Sequence, residues 1–348
     1  MKMRQLPGSA ASTCRLAAFA LAFAGPVGAA SAQTAGRLDA QSDANDAMND
    51  AMFATPNAAT PAPLSNLYAT SPDLEKQIPS PQFRANALLP LGWNSNAEEV
   101  SRGGTSTGQW RPVGNLSWAA PVGDLPLRAT ITGFAETDRY FRASNVNLDK
   151  TGGSARLQYV DPGNDQAFSP FFVFAPRWDF TPTFDNQISA RQDFNLGFNK
   201  RFNLDGDFHQ APIASDSSGA AVWSLGVTAF VQRRLREPQT SSYSAFVIPS
   251  MSYSISKNWN ASFAVEFIGR WFDRNSFGFF TNVYEIQPIA TVEYIVPAEW
   301  LGGERNAALL GRPALDLQSS YLKVWSNAPG GGFEQWQTVA ALKMGWRF

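Results

Sequence analysis

From residue 83 to the C-terminus the chain alternates. Apolar and aromatic side chains take every second position over segments of about nine to seventeen residues, separated by clusters of Gly, Pro, Asn and Asp. Successive side chains of a strand point to opposite faces, so each segment reads as a strand with one apolar and one polar face. In the last segment Trp336, Thr338, Ala340, Leu342, Met344, Trp346 and Phe348 share one face; Gln337, Ala341, Lys343 and Arg347 share the other, broken only by Val339. In 187–203 the split is Ile188, Ala190, Phe194, Leu196, Phe198 and Phe202 against Ser189, Arg191, Asp193, Asn195, Asn199, Arg201 and Asn203, with Gln192 and Lys200 as exceptions. The pattern recurs as Phe263, Val265, Phe267 and Trp271 against Ser262, Glu266 and Arg270. It recurs again as Tyr284, Ile286, Ala290, Val292 and Tyr294 against Glu285, Gln287, Thr291 and Glu293.

The predicted strands are 83–94, 108–120, 126–141, 153–161, 167–180, 187–203, 219–235, 241–256, 258–273, 281–297, 313–326 and 334–348. About twelve strands, an even number, suit a closed single-chain barrel with both termini on one side. A secreted soluble sandwich or lipocalin-like barrel would also alternate, with its apolar faces inward. Strand length separates the two readings, because soluble strands run about five to six residues and a tilted membrane strand needs about nine to eleven. The expectation is an all-β, transmembrane, antiparallel up-and-down β-barrel over 82–348. Aromatic residues gather near segment ends: Trp93, Trp110, Trp118, Tyr140, Trp178, Tyr243, Tyr253, Trp259, Trp271, Trp300, Trp325, Trp336 and Trp346. They predict two girdles at the headgroup boundaries. Pro112, Pro170, Pro176, Pro249 and Pro288 predict bulges or strand ends, because a closed barrel has no edge to take them.

Residues 1–32 have the layout of a secretory signal. Lys2, Arg4 and Arg15 precede the short apolar run 16–24, and Ala30-Ser31-Ala32 offers a cleavage site. Cys14, the only cysteine, falls inside this segment, so the mature chain needs no disulfide. Residues 33–81 are rich in Ala, Asp, Asn, Pro, Ser and Thr. They read either as a disordered periplasmic leader, since such composition cannot offset chain entropy, or as a lumen plug built on a short helix at 39–53. After the signal no apolar run is long enough for a membrane helix. The formal net charge is −1, and no polybasic run points to nucleic acid.

A signal segment, alternating strands and a terminal Phe348 together resemble bacterial outer-membrane β-barrel proteins, whose last residue is typically Phe. The resemblance implies the outer membrane of a Gram-negative bacterium, with outer-membrane lipids and lipopolysaccharide as surroundings. It also implies that the barrel-assembly machinery reads Trp346 and Phe348 as an assembly signal. If the last strand descends into the periplasm, the short turns 121–125, 161–165 and 256–259 are periplasmic and the longer loops 94–107, 142–152 and 326–333 are external. Connections 205–220 and 296–313 are long for periplasmic turns.

Catalytic chemistry finds little support. His209 is the only histidine, near Ser215 and Asp216 in one connection, and three residues so close in one loop rarely form a hydrolase triad. Outer-membrane phospholipase A has a His and a Ser two apart before Asn-Gly, which His209-Gln210-Ala211-Pro212 does not match. No enzyme activity, cofactor or metal centre is expected. The polar faces are the informative feature. They carry Arg84, Arg111, Arg128, Arg156, Arg177, Arg191, Arg201, Arg234, Arg270, Lys343 and Arg347 against Glu136, Asp179, Asp193, Glu266, Glu285, Glu293 and Asp316. The expected pore lining is Arg191, Asp193, Arg201, Arg234, Glu266, Arg270, Glu285 and Glu293. Two functions stay open: a channel for small hydrophilic, weakly anion-preferring solutes, or a non-conducting structural or assembly- and export-associated barrel.

Overall fold

The computed structural model describes residues 81–99, 103–161, 167–205, 207–209, 223–237, 241–256, 258–273, 282–327 and 332–348. The expected signal at 1–32 and all of the leader at 33–81 except Pro81 lie outside them. The strands are β1 (Gln82–Asn94), β2 (Thr107–Trp110), β3 (Val113–Pro121), β4 (Leu127–Tyr140), β5 (Leu148–Tyr159), β6 (Ser169–Phe180), β7 (Gln187–Leu204), β8 (Trp223–Glu237), β9 (Ser242–Ser256), β10 (Trp259–Phe272), β11 (Asn282–Ile295), β12 (Ala314–Ser326) and β13 (Phe333–Arg347). Apart from β2 and β3, consecutive strands pair antiparallel, and β13 pairs back onto β1 from Arg84↔Arg347 to Asn94↔Gln337. β2 and β3 both lie between β1 and β4. They are two halves of one stave, so the barrel has twelve staves, as the alternation predicts.

Burial is inverted relative to a soluble barrel. Arg84, Arg111, Arg234 and Arg270 are fully buried inside, whereas Leu196 is 62% exposed beside Asn195 at 1%. A guanidinium on the outer face would have nothing in hydrocarbon to satisfy it, whereas a polar interior can. The apolar faces therefore point outward, and the soluble-barrel reading fails on this point. Lys200, on the outer face, lies over the Phe202 ring at 4.9 Å.

Two aromatic girdles form, and cross-strand pairs build them. At the end where the termini lie, here the near end, Trp223 stacks on Tyr253 at 4.3 Å and Trp259 meets Tyr294 at 4.7 Å. At the far end Trp271 and Tyr284 meet edge-on at 6.5 Å, and Tyr321 packs on Trp336 at 4.7 Å. Tyr140 is not a girdle residue; it turns inward and is buried with Ala97 and Ala143.

The interior prolines sit where one ladder lapses. Pro176 pairs with Gln192 on β7, while pairing toward β5 skips from Gly152↔Arg177 to Ala155↔Phe174. Pro249 and Pro288 interrupt the β9–β10 and β11–β12 ladders in the same way. Proline has no N–H to donate, so a one-sided gap is the consequence. The second stave breaks where two prolines coincide: Arg111 N–H donates to Pro90 O, and Thr137 N–H to Pro112 O, both at 3.1 Å.

β5 begins at Leu148, earlier than the predicted 153. Gly152 and Gly153 mark close cross-strand approach rather than a turn: a Cβ on Gly152 would lie 2.5 Å from Pro176 O. The β11–β12 connection carries a 3-10 turn, Ala298–Leu301, and a short helix α1, Glu304–Leu309. It docks on the closing strand, with Trp346 Nε1 donating to Leu309 O at 2.9 Å and Gly345 N–H to Gly311 O at 2.7 Å. Gly311 has φ of 72° and no room for a Cβ against the Trp346 ring, 2.8 Å away, so glycine is required.

Candidate functional site: the inner wall of the barrel

The inner faces collect most of the charge. Eleven cations are buried among the described residues: Arg84, Arg111, Arg128, Lys150, Arg156, Arg177, Arg191, Arg234, Arg236, Arg270 and Lys343. Ten carboxylates are buried with them: Glu99, Glu136, Asp138, Asp149, Asp179, Asp193, Glu266, Glu285, Glu293 and Asp316. The charges are thus closer to balance than the predicted faces imply. Two expected inward cations differ: Arg201 is half-buried, and Arg347 is exposed at the near rim. The sequence reading missed Lys150 and Asp149, which fall in the stretch taken for a loop. It missed Arg236 by ending its strand one residue early, and Asp138 although that residue lies within a predicted strand.

Register turns many of these charges into pairs. Asp193 and Arg234 are direct partners across β7 and β8, joined by Nε–Oδ1 at 2.8 Å and Nη2–Oδ2 at 3.0 Å, with Arg191 Nε 3.4 Å from the same carboxylate. On the adjacent β6, nearer the far end, Asp179 receives Arg177 at 2.7 Å and Ser189 Oγ at 2.5 Å. Lys150 lies 3.1 Å from Glu136 and 2.5 Å from Asp138. Arg270 and Glu285 are 3.4 Å apart, and Glu293 binds Lys343 and accepts from Asn260 Nδ2 at 2.9 Å. Of the expected lining residues, Arg191, Asp193 and Arg234 therefore form one cluster, Arg270 and Glu285 a second, and Glu293 belongs to a third. Arg201 and Glu266 line the wall at other levels.

The wall is not uniformly polar. Phe171, Val173, Ala175, Phe230, Phe246 and Ile268 make a buried inward cluster, with Phe230 stacked on Phe246 at 4.2 Å and 11°. Gly197, in register with both Phe171 and Phe230, allows this: a Cβ there would lie 2.3 Å from the Phe230 Cβ. Toward the near end the inward residues of β8 to β10 become small. Ser250 is exposed, facing Gly226 and Ala264, which are half-buried. Water reaches the inner wall there.

His209 lies on the near rim, its side chain 78% exposed and its Nδ1 3.6 Å from Asp205 Oδ2. Asp205 accepts backbone N–H bonds from His209 at 2.8 Å and Asp207 at 2.9 Å, and the first of these does most to hold its carboxyl below the usual range. Ser215 and Asp216 lie outside the described residues. Trp346 is held by α1, and Phe348 is 77% exposed, its N–H donating to Phe83 O at 2.9 Å.

No protein-family model matches the chain, and no curated protein sequence matches it. Solved structures that resemble it include an outer membrane channel from Pseudomonas putida F1, at TM-score 0.46 and 9% identity over 77% of this chain and 97% of that one. The NanC porin aligns at TM-score 0.39 and 7% identity, over 74% and 98% of the two chains. The translocator domain of the autotransporter NalP from Neisseria meningitidis aligns at TM-score 0.39 and 10% identity, over 91% and 98%.

Proposed function

We propose that this protein is an outer-membrane channel for small hydrophilic solutes with a weak anion preference, its near end facing the periplasm. Residues 1–32 direct export, and Trp346 and Phe348 present the C-terminus to the barrel-assembly machinery. The observation that supports conduction is a closed barrel whose inner wall carries fixed charges of both signs and opens to water over Ser250. Near-balance of those charges makes the preference weak. Within a narrow wet pore they act at short range, where a Debye length of about 8 Å screens them only in part. The lining comprises Arg191, Asp193, Arg201, Arg234, Glu266, Arg270, Glu285 and Glu293.

Single-channel recording of the refolded full chain in planar bilayers tests this reading. Discrete currents and a reversal potential favouring anions in a salt gradient are expected, and Arg201→Glu should shift that potential toward cations. Deleting Phe348 should lower the amount of folded, heat-modifiable protein in the outer membrane while export continues. One observation favours the competing closed structural barrel: the ion pairing of Arg234, Arg177, Lys150 and Lys343 across the wall. Absence of any current, with and without 33–81, would assign that role instead.

A further inference from the structure

The near mouth of the barrel is sealed on one side and wet on the other. The last inward residues of β1, β3, β5 and β6 at that end, Gln82, Ala119, Gln158 and Ser169, are 0–6% exposed. Across the mouth, Ser224 on β8 and Ser262 on β10 are half-buried and Ser250 on β9 is exposed. Size does not explain the difference, because Ser117, inward on β3, is 3% exposed and no larger than Ser250. Long neighbours do not explain it either: Arg84, Arg128 and Arg156, which could lie over the small residues, are themselves buried. About eight staves leave an interior that side chains alone fill, so twelve staves sealed this tightly call for material besides the wall.

The three arginines indicate what that material carries. Among the described strands, register opposes Arg84 to Ser117 and Arg347, Arg128 to Gln158, and Arg156 to Thr130 and Val173. It brings a carboxylate to none of them. A buried guanidinium needs an anionic partner, and here one has to come from off the wall. The segment 33–81 lies outside the described residues and runs directly into β1 at the near rim. It carries Asp39, Asp43, Asp46, Asp50, Asp73 and Glu75 against Arg37 and Lys76. The first four recur at the spacing of one helix face, and Ala40, Ala44, Ala47 and Ala51 follow each of them, which keeps the adjoining flank slim.

We propose that 33–81 turns back into the lumen from the near rim and docks on the inner face of β1 and β3 to β6, its aspartates at 39–50 meeting Arg84, Arg128 and Arg156. Arginine suits this contact because its planar fork takes a carboxylate with two bonds. The uncovered side, β8 to β10, is where water enters. The docking goes beyond the channel reading and does not rest on it.

Cysteine chemistry on the refolded full chain carrying Cys14→Ser, which has no other cysteine, tests this without requiring current. With a small hydrophilic maleimide, Ser117→Cys should label about tenfold or more slowly than Ser250→Cys, because reagent reaches it only when the docked segment opens. Deleting 33–81 should bring the two rates together. Should the deletion not fold, Asp39→Asn, Asp43→Asn, Asp46→Asn and Asp50→Asn combined in the full chain should speed labelling of Ser117→Cys and leave Ser250→Cys unchanged. Under a short bismaleimide, Asp46→Cys should join Thr130→Cys within one chain and not its outward neighbour Ile131→Cys. Equal labelling of the two serine positions in the full chain, or protection of Ser117→Cys that survives the deletion, would overturn the docking. Cross-linking to Ile131→Cys as readily as to Thr130→Cys would do the same, and a cross-linked dimer would assign the contact to a second copy instead. Protection in a barrel that passes no current would count against the channel while the docking stands; current without protection would do the reverse.

Discussion

Arg234 and Arg111 are the same residue type, both at 0% exposure on one inner wall, and their surroundings separate them. Arg234 meets Asp193 in register and is bound at both ends of its fork, 2.8 and 3.0 Å. Arg111 meets Asp138, which Lys150 has taken, and no hydrogen bond reaches its guanidinium. Burial therefore does not say what a charged side chain is for; the partner that register delivers does. One arginine is closed into a pair, and the other leaves its side-chain donors unused.

Near-isosteric removal of each charge breaks this comparison most directly. Arg234→Met leaves Asp193 buried with its principal partner gone, and loss of one member of a buried pair costs about 3–5 kcal/mol. Arg111→Met removes a charge that makes no side-chain hydrogen bond and acts on Asp138 only through its field, so its loss should be clearly smaller. Denaturant unfolding in lipid vesicles, followed by heat-modifiable mobility, measures both. Equal losses for the two variants would erase the distinction between an arginine whose fork is bonded and one whose fork is not.

The two faces offer the next contrast. Leu196 is 62% exposed on the outside, and Leu196→Arg at mid-strand should cost about 2–4 kcal/mol in a bilayer. Ser250 is also exposed but points inward, so Ser250→Arg should leave stability nearly unchanged and reduce single-channel conductance by narrowing the lumen. A stable Leu196→Arg protein beside an unfolded Ser250→Arg protein would reverse the assigned faces.

These faces were legible in the sequence because a period of two needs no knowledge of partners. Leu196 and Asn195 separate on alternation alone, and the closing strand ending at Phe348 does too. Pairing was not legible in the same way. That Arg234 opposes Asp193, while Arg111 opposes a carboxylate already engaged, depends on the register of two hairpins and on the break at Pro90 and Pro112. Gly152 and Gly153 misled for a related reason. Glycine signals a turn in a sequence, but here it marks where Pro176 crowds the backbone, and that signal hides the strand that carries Asp149 and Lys150. The apolar cluster around Phe230 was hidden as well, since Phe171, Val173 and Ala175 occupy the polar phase of β6 and alternation alone does not flag them as a lumen surface.

Arg233, next to Arg234 in the chain, completes the comparison with the smallest effect. It points outward and grips Asp273 as Arg234 grips Asp193, with two bonds of 2.9 and 2.7 Å. Its side chain is 28% exposed, however, and that of Asp273 is 39% exposed. Water competes at such a rim, so the pair should contribute about 0–1 kcal/mol, far below its buried neighbour. The hydrogen bonds from Arg233 lower the Asp273 carboxyl from its ordinary value of 3.8, partly opposed by burial. A lowered folded-state value means stabilisation that is present above the ordinary value and lost as pH falls through the lowered one. Wild type should therefore exceed Asp273→Asn by a small constant margin at neutral pH, and the margin should close in strong acid. Unfolding midpoints of the two proteins across pH would check this. A margin as large as that of Arg234→Met, or one that persists below the lowered value, would show that the rim pair acts as a buried one and that exposure does not set the worth of these arginine pairs.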